Sequence, residues 1–237
     1  MRSNPWLWLF VLAVVTDLLA IYFQWDQVRI VSKPLIVLPL LAYFLQQVRT
    51  YAGGAGPLKA ALVFSLIGDI ALLFEDRNPL FFMVGLGSFL VAHILYIAAF
   101  NGIGKSAGQR ISPRWGWIVA VGLYLAILLY VLLPYLGELK VPVIIYAFVL
   151  CAMLLAVVHA FLRPYSRPGV ICLAGALFFV LSDSVLAINK FYYGFAWAGM
   201  IIMFTYAFAQ YLLVTGAVRA FKSAQTGTFA ARQTSLR

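Results

Sequence analysis

Long apolar runs alternate with short polar breaks along this chain, and the runs are too long and too continuous for the period-2 pattern of a half-buried strand. Proline, glycine and charge mark the breaks, dividing the sequence into runs at 5–24, 30–48, 58–74, 80–100, 115–133, 141–162, 169–189 and 197–218. A hydrocarbon core about 30 Å thick takes about 20 apolar residues per helix, so each run has the length of one crossing. The pattern predicts an all-α integral membrane bundle of about eight transmembrane helices. It does not resemble the short alternating segments of a membrane β-barrel.

Composition agrees, because 65% of residues are hydrophobic and only 10% are charged, an excess of apolar surface that a water-soluble fold does not hide. The expected organisation is one transmembrane domain over 1–218 followed by a basic, disordered cytoplasmic tail over 219–237. The first run follows Arg2 as a signal peptide would, yet it carries Asp17 and has no small-x-small site before Gln24, so it is read as a retained span. Cys151 and Cys172 fall inside apolar runs and are expected to pack rather than to form a disulfide or hold a metal.

The net charge of +10 reports topology. The basic residues occupy short loops rather than one face or stripe, which argues against nucleic acid as a partner. With the N-terminus inside, twelve Lys and Arg fall on the inner side and five (Arg29, Lys33, Arg77, Lys140, Lys190) on the outer, together with Asp26, Glu75, Asp76 and Glu138. The positive-inside bias therefore predicts cytoplasmic N- and C-termini. Short loops point to a bacterial inner membrane, with membrane lipids as the surroundings and the basic tail near anionic lipid.

An internal similarity runs through the chain at an offset of 114: Phe64 to Asp69 aligns with Phe178 to Asp183, and Phe81 and Gly85 align with Phe195 and Gly199. It is consistent with two four-helix halves in parallel orientation, as in some transporters.

A carboxylate in hydrocarbon costs several kcal/mol, which makes an intramembrane acid a functional candidate. Asp17, Asp69 and Asp183 are such acids. At 1.5 Å per residue they lie roughly 14, 9 and 10 Å below Asp26, Glu75 and Lys190, all in the outer half. Lys33 starts the second run on that side and Asn189 ends the seventh, so one outward-opening polar cavity is expected to collect them all. Two carboxyl groups sharing a poorly solvated pocket cannot both ionise cheaply, so one keeps a proton and serves as acid while the other serves as base. Such a pair suits hydrolysis or proton carriage equally. Alternatively, Lys33 neutralises one acid and the cluster only locks helices together.

The other polar residues discriminate less. His93, roughly 24 Å from Arg77 along its helix, is expected deeper than the acids, and His159 near the inner interface. Two histidines at different depths do not make a three-His zinc site. Ser182 has no His in register to activate it and suits a hydrogen bond to a neighbouring helix. Tyr96, Tyr146, Tyr206 and Gln210 are candidates to line the cavity or to bond between helices. The stretch Ala52 to Gly56 lacks the lysine of a phosphate loop and reads as a turn.

These residues form an ordered set: Lys33-Pro34-Leu35 in the second span, Gly68-Asp69 in the third, Gly85, Phe89, His93 and Tyr96 in the fourth, and Tyr146 in the sixth. Gly175-Ala176, Phe178, Ser182-Asp183-Ser184 and Asn189 follow in the seventh, with Tyr206 and Gln210 in the eighth. The set resembles the YhhN-like lysoplasmalogenase family of multi-span membrane proteins, from the second span to the eighth. The resemblance implies hydrolysis of the vinyl ether bond of lysoplasmalogens, giving a fatty aldehyde and glycerophosphoethanolamine or glycerophosphocholine. Vinyl ether cleavage starts by proton delivery to the alkene carbon and continues by water addition, which an acid and a base supply without metal or organic cofactor. Asp69 and Asp183 are then the expected catalytic pair. Lys33, His93, Tyr96, Tyr146, Ser182, Asn189, Tyr206 and Gln210 are the expected substrate-binding set, with Lys33 or Asn189 at the head group. Asp17 lies outside the family pattern. The competing reading from the residues is a proton-coupled transporter or carrier of a lipid or small amphiphile. A third is a structural or lipid-organising protein.

Overall fold

A computed structural model describes residues 4–49, 55–106, 113–161 and 166–234, with side chains as far as Ser223. The Ala52–Gly54 part of the expected turn, and Arg2, Arg110, Arg163 and Arg237 of the charge count, lie outside the described residues. The described residues form nine α-helices: α1 Pro5–Tyr22, α2 Asp26–Ser32, α3 Pro34–Gln47, α4 Gly56–Leu72, α5 Pro79–Ser106, α6 Trp115–Leu132, α7 Lys140–Ala160, α8 Arg167–Ala187 and α9 Ala198–Thr234. Seven helical segments are long and apolar enough to cross a membrane, with α2 and α3 counting together as Asp26–Gln47. The eighth crossing is α4, whose 17 residues rise roughly 26 Å and fall at the short end of spanning lengths.

The exposed surface is what lipid requires. On α6, Val119, Leu123 and Ile127 are exposed at helical spacing, an apolar face with no protein partner to cover it. Trp6, Trp8 and Trp115 stand exposed at one end of the bundle, and Tyr22, Trp25, Tyr135, Tyr193 and Trp197 at the other, the two aromatic belts of a membrane protein.

Four boundaries depart from the pattern, the largest at α9, which stays helical to Thr234, sixteen residues beyond the apolar run that ends at 218 and over the segment expected as a disordered tail. The second span begins four residues earlier than expected, at Asp26, and is broken between Ser32 and Pro34. Proline has no N–H to bond the carbonyl one turn back and its ring crowds that carbonyl, while Lys33 keeps helical angles. The span therefore continues through a break centred on Lys33. Helix α5 is longer than its apolar run by six residues at its end, because Asn101 to Ser106, in which a single apolar residue, Ile103, stands among polar residues and glycines, are still helical. Finally, α8 ends in a π-helical turn, Ile188–Tyr192, a distortion common at functional sites.

Packing follows the offset of 114. In the first half α1 packs on α3, α3 on α4 and α4 on α5; in the second α6 packs on α7, α7 on α8 and α8 on α9. Across the halves α3 meets α9 and α7 meets α5, as a pseudo-two-fold relation requires. The closest pairs are α4 with α5 and α8 with α9, and in each a glycine admits the neighbour. A Cβ on Gly68 would lie 2.7 Å from the Phe89 ring, and one on Gly175 2.9 Å from the Leu213 nitrogen. Close approach through small residues is the usual basis of helix association in lipid.

Candidate active site

At the bundle end that carries Trp25 and Trp197, a cavity of about 450 Å³ opens between α2, α4, α5, α7, α8 and α9. Helical periodicity builds its walls. Arg29 and Lys33 project from α2 and its break, Phe82, Leu86 and Phe89 from one face of α5, and Gly199, Ile202, Met203 and Tyr206 from one face of α9. Asp69 and Asp183 both line it. Asp69 is 2% exposed, and Asp183 12% by side chain.

A phenol ties each carboxyl. Tyr206 donates to Asp69 Oδ2 at 2.7 Å, and Tyr146 donates to Asp183 Oδ2 at 2.5 Å. Behind Tyr206, Tyr96 donates to Gln210 Oε1 at 2.6 Å, and Gln210 Nε2 donates to the Tyr206 oxygen at 3.2 Å. This relay leaves Tyr206 free to aim its own proton at Asp69. Behind Tyr146, His93 Nε2 lies 3.0 Å from the Tyr146 oxygen and 3.5 Å from Asp183 Oδ2. A ring cluster holds these groups from below: buried Phe179 makes edge contacts with His93 at 4.7 Å, Tyr206 at 5.6 Å and Phe89 at 6.4 Å between centroids. Such contacts lock rotamers as well as adding attraction.

The cavity gathers most of the expected residues. Lys33, Asp69, Tyr146, Ser182, Asp183, Asn189 and Tyr206 line it, while His93, Tyr96 and Gln210 stand behind the lining. Two lining residues already have protein partners: Ser182 donates to the Ile202 carbonyl of α9 at 3.0 Å, and Asn189 Oδ1 accepts the Phe195 N–H at 3.2 Å, closing the loop after α8.

Two placements differ from expectation. Asp17 does not line this cavity. It is fully buried beside α2, where Ser32 donates to its Oδ1 at 2.7 Å. His93 is not deeper than the acids but beside Asp183. Depth counted inward from a loop assumes that every helix enters at the same height, and α5, with 28 residues or roughly 42 Å, is longer than the hydrocarbon core, so its start is no fixed reference. Sequence reasoning missed Arg29 as a lining residue. Its place one helical turn before Lys33 was the available signal.

At the mouth, Lys190 donates to Glu75 Oε2 at 3.1 Å and sits 5.0 Å over the Phe82 ring. Arg77 lies 5.0 Å over the Phe74 ring. Among the described residues, no group of three His, Cys, Asp or Glu side chains could hold a metal ion.

The class is thus a multi-pass helical membrane protein with a paired-carboxyl cavity at one end. The YhhN family model matches residues 28–217, a range that reaches every helix contributing to the cavity and includes each lining residue except Asp26, and the chain belongs to that family. It is 35% identical over 179 residues to a Homo sapiens protein named lysoplasmalogenase TMEM86B, covering 76% of this chain and 71% of that one. The Sus scrofa protein of the same name is 34% identical over 203 residues, covering 82% and 80%. A Mycobacterium bovis protein named lysoplasmalogenase is 33% identical over 161 residues, covering 67% and 59%. No solved structure matches the chain.

Proposed function

We propose that this protein is a membrane-embedded hydrolase that cleaves the vinyl ether bond of lysoplasmalogens, with Asp69 and Asp183 as its acid–base pair. The observation that carries the reading is the convergence of two carboxyl groups, the buried one of Asp69 on α4 and the partly buried one of Asp183 on α8, on one cavity, each steadied by a tyrosine from another helix. The names of the relatives support the substrate class.

The chemistry follows from the arrangement. One carboxylic acid transfers its proton to the alkene carbon remote from the ether oxygen, the one that carries the rest of the alkenyl chain, leaving an oxocarbenium ion. The second, as carboxylate, stabilises that cation and takes a proton from the water that adds to it. The hemiacetal then collapses to a fatty aldehyde and the glycerophospho-alcohol. Phe82, Leu86 and Phe89 offer the alkenyl chain an apolar wall, while Lys33 and Asn189 sit at head-group level. Tyr96, Tyr146, Ser182, Tyr206, Gln210 and His93 shape and orient the pocket. The excess of Lys and Arg in alternate loops supports cytoplasmic termini, which makes the cavity face the opposite side of the membrane, the periplasmic side if the membrane is a bacterial inner one.

The test is purified protein given a lysoplasmenylethanolamine, with aldehyde captured by a coupled dehydrogenase. Release in proportion to enzyme supports the reading. Unchanged lipid, or proton-gradient-dependent accumulation in proteoliposomes without covalent change, overturns it in favour of a carrier.

A further inference from the structure

We propose that Arg29 and Lys33 form a two-cation clamp for the phosphodiester of the lipid head group, so that the cavity selects phosphate-bearing lipids over neutral ones. The inference rests on the hydrolase reading and adds to it the feature by which the substrate is recognised. Positions four apart on a helix present their side chains to the same side, roughly 5–6 Å apart at Cβ, and both residues line the cavity.

Neither cation makes a hydrogen bond or contact ion pair among the described residues, and Arg29 acts on Asp17 only without contact. Lys33 is only 6% exposed, and among the described residues no carboxylate lies within 4 Å of its ammonium. Without contact, Asp69, Asp17 and Glu75 attract it and Arg29 repels it, a repulsion that an anion between the two cations relieves. The Arg29 Nε is buried and has no hydrogen-bond partner. By contrast, the other two cations of the cavity are engaged: Lys190 holds Glu75 and the Phe82 ring, and Arg77 covers Phe74. A cation held largely out of water without a contact partner carries a desolvation cost, which an incoming anion offsets. A guanidinium and an ammonium presented together match the planar and point-charge modes of phosphate recognition.

Position makes the clamp productive. Arg29 lies one turn nearer the mouth than Lys33, and Lys33 is the cation within electrostatic reach of Asp69. A phosphate held there places the glycerol, and beyond it the sn-1 vinyl ether, toward the acid pair. The free acids of the rim, Asp26 and Asp76, suit the ammonium end of a zwitterionic head group.

The experiment compares two lipids that share the same vinyl ether: a lysoplasmenylethanolamine and the 1-O-alkenylglycerol that lacks the phosphate. The readout is the ratio of their kcat/KM values in wild type, Arg29→Gln, Lys33→Gln and the conservative Lys33→Arg. Each charged hydrogen bond lost is worth roughly tenfold to a hundredfold in that ratio. The expected result is a wild-type ratio well above unity that collapses in Arg29→Gln and Lys33→Gln, mainly through KM, and recovers in Lys33→Arg. A role for Lys33 confined to balancing Asp69 and Asp17 would scale both substrates alike and leave the ratio unchanged, which overturns the proposal. Should wild type release no aldehyde from either lipid, the hydrolase reading fails, and the clamp is judged by binding. Lysophosphatidylethanolamine binding that exceeds 1-monoacylglycerol binding, and is lost in the Gln variants, sustains the clamp. Equal binding of the two lipids overturns it.

Discussion

Replacing Asp69 and Asp183 by asparagine, singly and together, tests the acid–base pair with little change of shape. Asparagine keeps an acceptor oxygen where Tyr146 and Tyr206 donate at 2.5 and 2.7 Å, so the supporting bonds can persist while the titratable proton is lost. A positioned acid or base contributes roughly a hundredfold to ten-thousandfold, or about 2.7 to 5.4 kcal/mol at 1.36 kcal/mol per tenfold. Each single variant is therefore expected to lose that much in kcat. Because proton delivery and water activation act as one unit, the double variant is expected to fall no further than about tenfold below the weaker single one; independent groups would multiply their losses. Aldehyde release measures the rates, and the thermal midpoint in detergent shows that the variants fold. Full activity in either single variant, or strictly multiplicative losses in a folded double variant, refutes the reasoning.

Further outcomes follow from the supporting shell. Tyr146→Phe removes the donor to Asp183 and the neighbour of His93, and is expected to cost roughly tenfold to a hundredfold in kcat/KM at unchanged thermal midpoint; a loss under twofold counts against a role for that phenol. Gly68→Ala sets a Cβ 2.7 Å from the Phe89 ring and is expected to destabilise by about 1–3 kcal/mol in detergent unfolding, whereas Gly87→Ala, with nothing within 4 Å, is neutral or stabilising. Phe179→Ala, at the hub of the rings beneath the site, is expected to cost about 3–5 kcal/mol and to lower activity through loosened His93 and Tyr206. Lys190→Ala breaks a partly exposed pair with Glu75 worth at most about 1 kcal/mol, which a thermal midpoint measures directly.

The bilayer makes the fold legible from sequence, because each crossing must be a long apolar helix with its backbone bonded internally. The runs located the eight crossings to within a few residues at most ends, and the misses have local causes. Asn101 to Ser106 continue α5 although two glycines lower their helix propensity, because packing overrides it there: Ile103 and Gly104 are buried, and Gly104 lies close against Ala160 of α7. Pro34 splits the second span without ending it, because Lys33 stays helical. Asp69, Asp183, Lys33 and Asn189 were legible as one cavity because ionisable or polar groups in apolar runs near the same membrane face have few other places to go. The phenols were legible only as candidates. That Tyr206 serves Asp69 while Tyr146 serves Asp183 depends on which helices touch, over separations of 137 and 37 residues, and no periodicity within a single helix encodes that.

The offset of 114 acquires a physical meaning once the contacts are known. Asp69 and Asp183 occupy equivalent places on α4 and α8, and each is met by a side chain from the last helix of the other half: Tyr206 of α9 reaches Asp69, and His93 of α5 reaches Asp183. Tyr96 and Gln210, also 114 apart, bond directly to one another across the two halves. Neither half by itself contains a complete carboxyl site, so the cavity is a property of their docking. The symmetry is also broken where chemistry needs it to be. Asp183 has an imidazole within reach, and Asp69 has the amide-backed phenol and the field of Lys33. Two carboxyl groups in identical surroundings would share their proton equally; the proposed mechanism needs unlike partners, so that one can act as acid while the other acts as base.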